Sequence, residues 1–554
     1  MPEKLKIYCL NLGEYIETEG GSSLHDVARG LTDRLGFEPL CARVNNKTEG
    51  LHYRLYAPKD VEFLSVTDEN SARCYVRSLC MILYKAVTRL YPGAQLKIEH
   101  SISKGYFCRI TGADVPVSAS DLEAEMHRIV DENLPFVFHE ERTEKTIEIF
   151  ERQGLDARVK LIRSAHQPYT TYYTLDGLAD KYYSCLAPST GMINVFAFTP
   201  YEHGFLLRGR DEKCPDIPAV PVKQDKMFHA FLDYVDFNHI LGITNVADLN
   251  VEIDEGRAKD LINVAEALHD RHLGRISDEI TRRYHNGGAR VILIAGPSSS
   301  GKTTTCKRLA IQLMTNLLKP MTISLDDYFV NREDTPRDAE GDYDYESIYA
   351  LDLDQFNKDL NDLIAGKEVM LPTYSFETGK RYYKGTPSRL RPGEVLIIEG
   401  IHGLNPELTK NIPREQKFNI YVSALTTLSI DDHNWVPTTD NRLLRRIIRD
   451  HKYRGTSALD TLKRWPKVRA GEERWIFPFQ ENADATFNSS LLFELSVMRD
   501  YADDILARVH SDVPQYATAY RLRKFLSYFR PLPVDSVPPT SLLREFLGGS
   551  SFRY

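Results

Sequence analysis

The segment from residue 291 to residue 318 constrains the fold of this chain more than any other. An apolar run, VILIA at 291–295, leads into the glycine-rich sequence GPSSSGKTTT at 296–305, and helical periodicity continues to residue 318. The spacing G-x-x-x-x-G-K-T lets backbone N–H groups wrap around an anion, and the following helix adds the positive end of its dipole. A buried strand, this loop and a helix in this order predict a parallel α/β domain that binds a polyphosphate.

The loop itself supplies the predicted nucleotide-binding residues. Lys302 would reach the β- and γ-phosphates of a nucleoside triphosphate, and the Thr303 hydroxyl would be a ligand of Mg²⁺. The complete predicted set for ATP is Gly296, Pro297, Ser298, Ser299, Ser300, Gly301, Lys302, Thr303 and Thr304.

Acidic residues stand at the ends of two further apolar strands. The stretch PMTISLDDYF ends near Asp326 and Asp327, and GEVLIIEGIHGL contains Glu399. Carboxylates at the carboxyl ends of parallel strands face the crevice in which ligands bind. We therefore predict Asp326 as the general base that accepts a proton from an attacking hydroxyl, with Asp327 as the alternative. Glu399 is predicted as the carboxylate on the Mg²⁺ side.

The stretch DNRLLRRIIRDHKYRG, at 440–455, places Arg442, Arg445, Arg446 and Arg449 on one face of a helix. Like charges on one face repel each other unless an anion lies across them. The pattern predicts an arginine-bearing lid over the phosphates. A GTPase is disfavoured, because no Asn-Lys-x-Asp guanine motif follows the loop.

These motifs, in this order, make residues 289–510 resemble the phosphoribulokinase/uridine kinase family of P-loop kinases. Two more segments carry the resemblance, DYDYESIYALD at 342–352 and LPTYSFETGKR at 371–381. By position, Asp326 resembles the general base of the family, Glu399 its Mg²⁺-side acid, and Arg442, Arg445 and Arg449 its lid. With Lys302, Asp326 and these arginines are the predicted catalytic residues. The resemblance implies an ATP- and Mg²⁺-dependent kinase of a nucleoside or a related hydroxyl compound.

The resemblance also implies the substrate-binding residues. Tyr343 and Asp344 match the pair that holds the nucleoside sugar, and Tyr374 and Phe376 match the aromatics around the base. The sequence departs from uridine-cytidine kinases at two positions. Ser375 replaces an acidic residue, and Gly379 replaces a base-reading histidine. A site that lacks polar partners for the base discriminates less between bases, so the acceptor is expected to be nucleoside-like rather than strictly uridine.

The residues before the loop resemble two other modules. Residues 1–65 resemble a TGS domain through GSSLHDVARGL, ARVNN and LHYRL. Residues 66–210 resemble the second domain of threonyl-tRNA synthetase, notably through LYKAVTRLYPGAQLKIEHSISKGYFCRI. Residues 211–288 are predicted to be a linker and a docking helix, and residues 511–554 a C-terminal tail. Val264 is among the residues predicted to face the core from the docking helix.

The synthetase-like region is expected to bind no zinc and to have no editing activity. In synthetases it carries an HxxxH pair and a CxxxH pair. The matching positions here are Arg77, Met81, Cys185 and Ser189, so one ligand of four is present. The eight cysteines form no CxxC pair and are interpreted as reduced thiols.

The predicted fold class is α/β. A C-terminal P-loop domain with a parallel sheet and a helical lid follows a TGS-like α/β module and a synthetase-like α+β domain. A net charge of −8 argues against a generally basic nucleic-acid coat. No apolar run of membrane-spanning length occurs, and a cytoplasmic location is expected. The alternatives are an RNA-binding regulator with a nucleotide-gated loop and a tRNA-editing hydrolase. RNA contact through the N-terminal region, a scaffold role for it and homo-oligomer formation all stay open.

Overall fold

The computed structural model describes residues 4–554. The first module of the protein is a mixed five-stranded sheet in the order β2-β1-β5-β3-β4. Two short helices cover this sheet, the first capped by the Ser23 side chain. The core holds Ile7, Leu24 and Val61, each 0% exposed. The elements are β1 (Lys4–Cys9), β2 (Glu14–Glu19), α1 (Leu24–Arg29), α2 (Thr32–Leu35), β3 (Cys41–Val44), β4 (Lys47–Gly50) and β5 (Asp60–Leu64).

The second module surrounds one long helix, α3, whose buried side chains contribute to the largest apolar core of the N-terminal region. Its two sheets are antiparallel, in the orders β11-β12-β7-β6 and β10-β9-β8. The elements are α3 (Glu69–Leu90), β6 (Gln95–Ile102), β7 (Gly105–Thr111), α4 (Ala119–Asp131), β8 (Val137–Arg142), α5 (Thr143–Arg152), α6 (Asp156–Ala165), β9 (Tyr169–Leu175), β10 (Leu178–Asp180), β11 (Ala197–Tyr201) and β12 (Gly204–Arg208).

Three helices connect this region to the glycine-rich loop: α7 (Asp225–Ile240), α8 (Val246–Asp254) and α9 (Ala258–His285). The α9 helix packs on the helix that follows the loop and on the edge strand of the parallel sheet. Its buried face includes Leu261, Ile262 and Leu273, whereas Val264 is 40% exposed. The prediction that Val264 faces the core is therefore wrong, because packing on two elements turns the buried face toward Ile262.

The C-terminal domain contains the predicted parallel sheet, with β13 at its centre and the order β14-β17-β13-β18-β21. Every pairing in this sheet is parallel, so all strands end at the same edge. The elements are β13 (Val291–Ala295), α10 (Lys302–Thr315), β14 (Lys319–Ser324), α11 (Leu353–Ile364), β15 (Pro372–Ser375), β16 (Lys380–Tyr383), β17 (Glu394–Glu399), β18 (Lys417–Ser423), β19 (Ser429–Asp431), β20 (Asn434–Trp435), α12 (Thr438–Arg454), α13 (Ala458–Trp475), β21 (Ala485–Asn488) and α14 (Glu494–Leu506). The α/β class with a parallel sheet is confirmed.

The C-terminal segment packs against this domain through α15 (Tyr516–Leu526) and α16 (Arg544–Leu547). Leu542 and Phe546, both 0% exposed, belong to the same apolar cluster as residues of β13 and α10. The segment therefore completes the core beside the glycine-rich loop. In the described part of the chain, no helix is both long enough and apolar enough to span a membrane.

A buried ion cluster joins the N-terminal region to the C-terminal domain. Arg158 on α6 is 1% exposed and donates to Asp431 of β19, with Nη2 2.9 Å from Oδ1. Arg158 also pairs with Asp180 of β10, which in turn lies 2.8 Å from Nδ1 of His433. Tyr183 donates to Asp431 at 2.8 Å. Every charge in the cluster has a partner across the domain boundary, so the two regions are packed as one structure.

Candidate active site

The glycine-rich loop follows the fully buried strand β13 and leads directly into α10. Two of its residues, Ser299 and Gly301, have positive φ angles of 59° and 83°. A Cβ on Gly296 would lie 2.1 Å from the carbonyl oxygen of Val422, so only glycine fits there. This backbone shape places N–H groups around the N-terminus of α10, where an anion is stabilised.

Lys302, Thr303 and Glu399 meet at the carboxyl edge of the sheet. Lys302 Nζ donates to Pro297 O at 3.0 Å, and the Thr303 hydroxyl lies 3.5 Å from Glu399 Oε1. Ser324, at the end of β14, donates to the same Glu399 oxygen at 3.0 Å. The strand register explains the meeting, since Glu399 pairs with Ile294 on one side and with Ser324 on the other. Hydroxyl and carboxylate oxygens are the ligand types that Mg²⁺ prefers, so this group fits the predicted metal.

The charges at this edge shift one another. Enclosure by the surrounding protein raises the pKa of Asp326, although its side chain keeps contact with solvent, and Lys302 opposes that shift. Burial raises the pKa of Glu399 to about 7, with a further contribution from the charge of Asp326. Burial lowers the pKa of Lys302. Perturbed groups of both signs in one cleft are typical of a catalytic centre.

The structure distinguishes between the two adjacent aspartates. Both lie in a 3-10 turn at Leu325–Tyr328, directly after β14. Asp327 accepts a hydrogen bond from the backbone N–H of Tyr374 at 3.2 Å, which ties β15 to the turn. Asp326 is influenced by the charges of Lys302, Arg454 and Arg449. The carboxylate of Asp326 is therefore the one that faces the phosphate-binding side.

Aromatic residues form a cluster beside Asp327. Tyr374 and Phe376 have ring centroids 5.2 Å apart, and Phe329 lies 5.5 Å from Tyr374 and 5.9 Å from Phe376. Tyr345 links the cluster to the other matching segment, at 6.2 Å from Phe329 and 6.0 Å from Tyr343. The structure thus brings the predicted base-side and sugar-side segments together. Phe329 was not among the residues predicted from the sequence, although it lies only three residues after the predicted base in SLDDYF.

Two further features mark the predicted acceptor side. The predicted sugar-side residue Asp344 accepts a hydrogen bond from the backbone N–H of Glu346 at 3.2 Å. Gly379 has a φ of 68°, and a Cβ there would lie 2.7 Å from Nε of Arg332. Arg332 donates to the carbonyl oxygen of Phe376 at 2.7 Å. A guanidinium therefore covers the position at which related kinases are expected to carry histidine.

Two of the predicted lid arginines are buried beneath the loop. Arg442 is 1% exposed, pairs with Glu472 and donates from Nε to Ser298 O at 3.0 Å. Arg445 is 0% exposed, pairs with Glu494 and lies 3.4 Å from Ser299 O. These contacts attach α12 to the carbonyl oxygens of the loop. A third carbonyl, that of Ser300, accepts from the Ser489 hydroxyl at 2.5 Å.

The other members of the arginine stripe are more accessible. Arg446 donates to the Ser298 hydroxyl at 2.7 Å, and its side chain is 12% exposed. Arg449, 17% exposed, pairs with Asp450 at 2.9 Å and contributes to the positive potential at Asp326. Arg446 and Arg449 are therefore the stripe residues best placed to reach a bound phosphate. Arg446 was not chosen from sequence, although it lies on the same helical face.

The C-terminal segment reaches the first turn of α10. Glu545 Oε2 accepts hydrogen bonds from the backbone N–H of Thr304, at 3.2 Å, and from its hydroxyl, at 2.6 Å. The Tyr554 hydroxyl lies 2.9 Å from the Thr304 hydroxyl. Leu542 covers Gly301, where a Cβ would lie 2.6 Å from Leu542 Cδ2. The carboxylate of Glu545 thus lies at a helix N-terminus that the sequence assigns to nucleotide phosphate. No local motif in the sequence predicts this contact.

The C-terminal region has relatives among known proteins. Residues 291–492 match the model of the Phosphoribulokinase / Uridine kinase family. A uridine kinase of Schizosaccharomyces pombe is 32% identical over 190 residues, which are 34% of this chain and 37% of that kinase. A solved structure described as a possible uridine kinase, from Bacillus stearothermophilus, covers 39% of this chain and 98% of its own, with 20% identity and a TM-score of 0.26.

The N-terminal region has relatives of another kind. A threonine–tRNA ligase of Desulforamulus reducens is 31% identical over 152 residues, which are 27% of this chain and 24% of the ligase. The chain therefore spans less than half of the length of either curated relative. The C-terminal region of this chain is thus similar to the phosphoribulokinase/uridine kinase family, and it is joined to an N-terminal region similar to part of threonine–tRNA ligases.

Proposed function

We propose that this protein is a kinase that transfers the γ-phosphoryl group of ATP to a hydroxyl of a nucleoside or a closely related small molecule. The observation that carries the proposal is the meeting of three groups at one edge of the parallel sheet. These are the phosphate loop, Asp326 and Glu399, and the aromatic cluster lies directly beside them. Ligands bind in this crevice in open α/β sheets.

The residues have distinct parts in the proposed transfer. The backbone N–H groups of the loop and the ammonium of Lys302 would hold the phosphates. Asp326 would accept the proton of the attacking hydroxyl, and its raised pKa makes it a stronger base than an ordinary aspartate. Thr303 and Glu399 would hold Mg²⁺, which when bound neutralises part of the phosphate charge. Arg446 and Arg449 would face the transferring group from α12.

The aromatic cluster supports a nucleoside as the acceptor. Flat rings at stacking distance on one side of the catalytic acid suit a heterocyclic base, because π-faces attract each other in offset or edge-to-face geometry. Tyr343 and Asp344 would contact the sugar. Arg332, in the space over Gly379, offers N–H donors and no acceptor, so it would favour a base that presents a carbonyl oxygen.

The full-length protein should be assayed with Mg²⁺, ATP and a panel of nucleosides and other small alcohols. We expect ADP formation that depends on one of the nucleosides, and phosphorylated product in equal amount. Lys302→Met is the matched control, since it removes the phosphate-contacting ammonium without altering the aromatic cluster. ATP turnover that does not depend on any of the hydroxyl compounds would contradict the proposal and favour a nucleotide-gated regulator instead.

Glu545 is expected to compete with the nucleotide. Its carboxylate accepts a hydrogen bond from the N–H of Thr304, and its negative charge repels a phosphate at the same end of the helix. Glu545→Gln should therefore lower the KM for ATP, by roughly two- to fivefold for a charge at a helix terminus. Steady-state kinetics measure the effect, with Asp535→Asn, an exposed acid in the same segment, as the control. An unchanged or raised KM in Glu545→Gln would contradict this role.

Activity is expected to rise with pH through neutrality. The raised pKa of Glu399, about 7, means that below this pH the free enzyme carries it mostly protonated and uncharged. Mg²⁺ binding requires the carboxylate, so kcat/KM for Mg–ATP should increase up to about pH 7 and then level off. The pH profile of kcat/KM tests this. Glu399→Gln should lower the plateau and abolish this rise; a rise that persists would assign it to another group.

A further inference from the structure

Three cysteines from separate parts of the chain converge at the boundary between the first two modules. Cys41 begins β3, Cys74 lies on α3, and Cys185 follows β10. Their exposures are 0%, 0% and 6%, and their sulfur atoms all lie within 4.8 Å of one another. Five other cysteines, four of them also buried, take no part in such a group in residues 4–554.

The spacing of the three sulfurs suits one metal ion. Zinc binds thiolate sulfur at about 2.3 Å, so ligands at tetrahedral angles lie roughly 3.8 Å apart. A group already within 4.8 Å reaches that geometry by small side-chain rotations. A disulfide, in contrast, needs two sulfurs at about 2.05 Å and leaves the third thiol without a function.

The charge around the cluster points in the same direction. Arg77 lies on α3 three residues after Cys74 and is half-buried, yet no carboxylate in the described residues forms an ion pair with it. Arg77 lies close enough to Cys185, Cys74 and Asp440 to interact electrostatically with them. Three thiolates with one divalent ion carry a net negative charge, which an unpaired guanidinium complements.

A histidine lies next to the cluster. Gly50 lacks a side chain, and a Cβ there would lie 2.6 Å from Nδ1 of His52 and 3.1 Å from Cβ of Cys185. The His52 ring is held by stacking on Phe138, with centroids 4.1 Å apart. The nitrogens of His52 do not belong to the group within 4.8 Å, so His52 would have to move toward the sulfurs to act as the fourth ligand of a Cys₃His zinc site.

We propose that Cys41, Cys74 and Cys185 bind a zinc ion that joins the first module to α3, with His52 or a water molecule as the fourth ligand. Thiolate-rich, enclosed sites select zinc over Mg²⁺ or Ca²⁺, which prefer oxygen. The site shares Cys185 with the ligand positions of synthetases and differs at the other three, where Arg77, Met81 and Ser189 stand here. The expectation of no zinc followed from those positions and did not consider Cys41, which belongs to another module.

The test is the metal content of the full-length, untagged protein, purified under reducing conditions. We expect about one zinc per chain, since three buried thiolates supply a nearly complete ligand set. Replacement by Co²⁺ should give thiolate-to-metal charge-transfer absorption. Cys185→Ser and Cys41→Ser should each weaken zinc binding by about 10-fold or more. Cys80→Ser, a buried cysteine on the same helix outside the cluster, is the matched control.

The outcomes separate clearly. Wild-type protein with neither zinc nor a cobalt–thiolate band would overturn the proposal, whether or not the serine variants fold. Undiminished zinc in both Cys41→Ser and Cys185→Ser would also overturn it, as would a disulfide between two of the three clustered cysteines in freshly isolated protein. Loss of zinc in His52→Ala would assign the fourth ligand. None of these measurements depends on kinase activity, so the site and the proposed function can fail independently.

Discussion

Replacing Asp326 by Asn is expected to lower kcat by about 10²- to 10⁴-fold, the usual contribution of a general base. Asparagine keeps the shape of the side chain and cannot accept the proton of the hydroxyl. The KM for ATP should change little, because Lys302 and the loop hold the phosphates. Single-turnover kinetics with ATP and the identified acceptor measure the chemical step directly.

Asp327→Asn is the matched control for this experiment. Its carboxylate accepts from the N–H of Tyr374, and an amide oxygen can accept that hydrogen bond as well. We expect its kcat to fall by less than about tenfold, since it has no part in proton transfer. If Asp327→Asn were inactive and Asp326→Asn active, the roles of the two residues would be reversed.

Arg158→Leu is expected to destabilise the protein by about 3–5 kcal/mol, because it leaves the buried carboxylates of Asp180 and Asp431 without their shared cation. Both carboxylates are 0% exposed, and water cannot replace the guanidinium. Unfolding by urea, followed by circular dichroism, measures the loss. Activity should fall as well, because Asp431 belongs to the C-terminal domain.

Arg163→Leu on the same helix is the matched control. Its side chain is 59% exposed and pairs with Glu151 on the surface, where an ion pair contributes about 0–1 kcal/mol. We expect its unfolding midpoint to lie close to that of the wild type. Equal losses in the two variants would show that the buried cluster adds no more than a surface pair.

The catalytic edge could be predicted because its signals are local. The loop at 296–305 follows β13, Asp326 follows β14, and Glu399 is the last residue of β17. A parallel sheet brings these strand ends together whatever the order of its strands. The role of the aromatic segments could be predicted only through the resemblance to the kinase family. The roles of Asp326 and Asp327 could be told apart only from the structure, because adjacent residues on a turn differ only in what they contact.

The remaining features depend on contacts between distant residues. Glu545 lies 241 positions after Thr304, and Arg158 lies 273 positions before Asp431, so no periodicity or spacing could connect them. The arginine stripe of α12 was predicted as one surface. The structure divides it, because Glu472 and Glu494 neutralise Arg442 and Arg445 beneath the loop, while Arg446 and Arg449 stay accessible.

The attachment of α12 to the loop has a consequence for how a nucleotide binds. Carbonyl oxygens of three successive residues, Ser298, Ser299 and Ser300, already have partners from α12 and Ser489. With its carbonyls held, the loop keeps a fixed backbone shape before any phosphate arrives, and the N–H groups of Ser298 and Thr304 donate to the carboxylates of Glu472 and Glu545. Such preorganisation removes most of the conformational entropy loss from the binding step. The nucleotide would meet a loop of fixed shape and would have to displace Glu545 from the N–H of Thr304, and its remaining phosphate contacts would hold the γ-phosphoryl group in line with the acceptor.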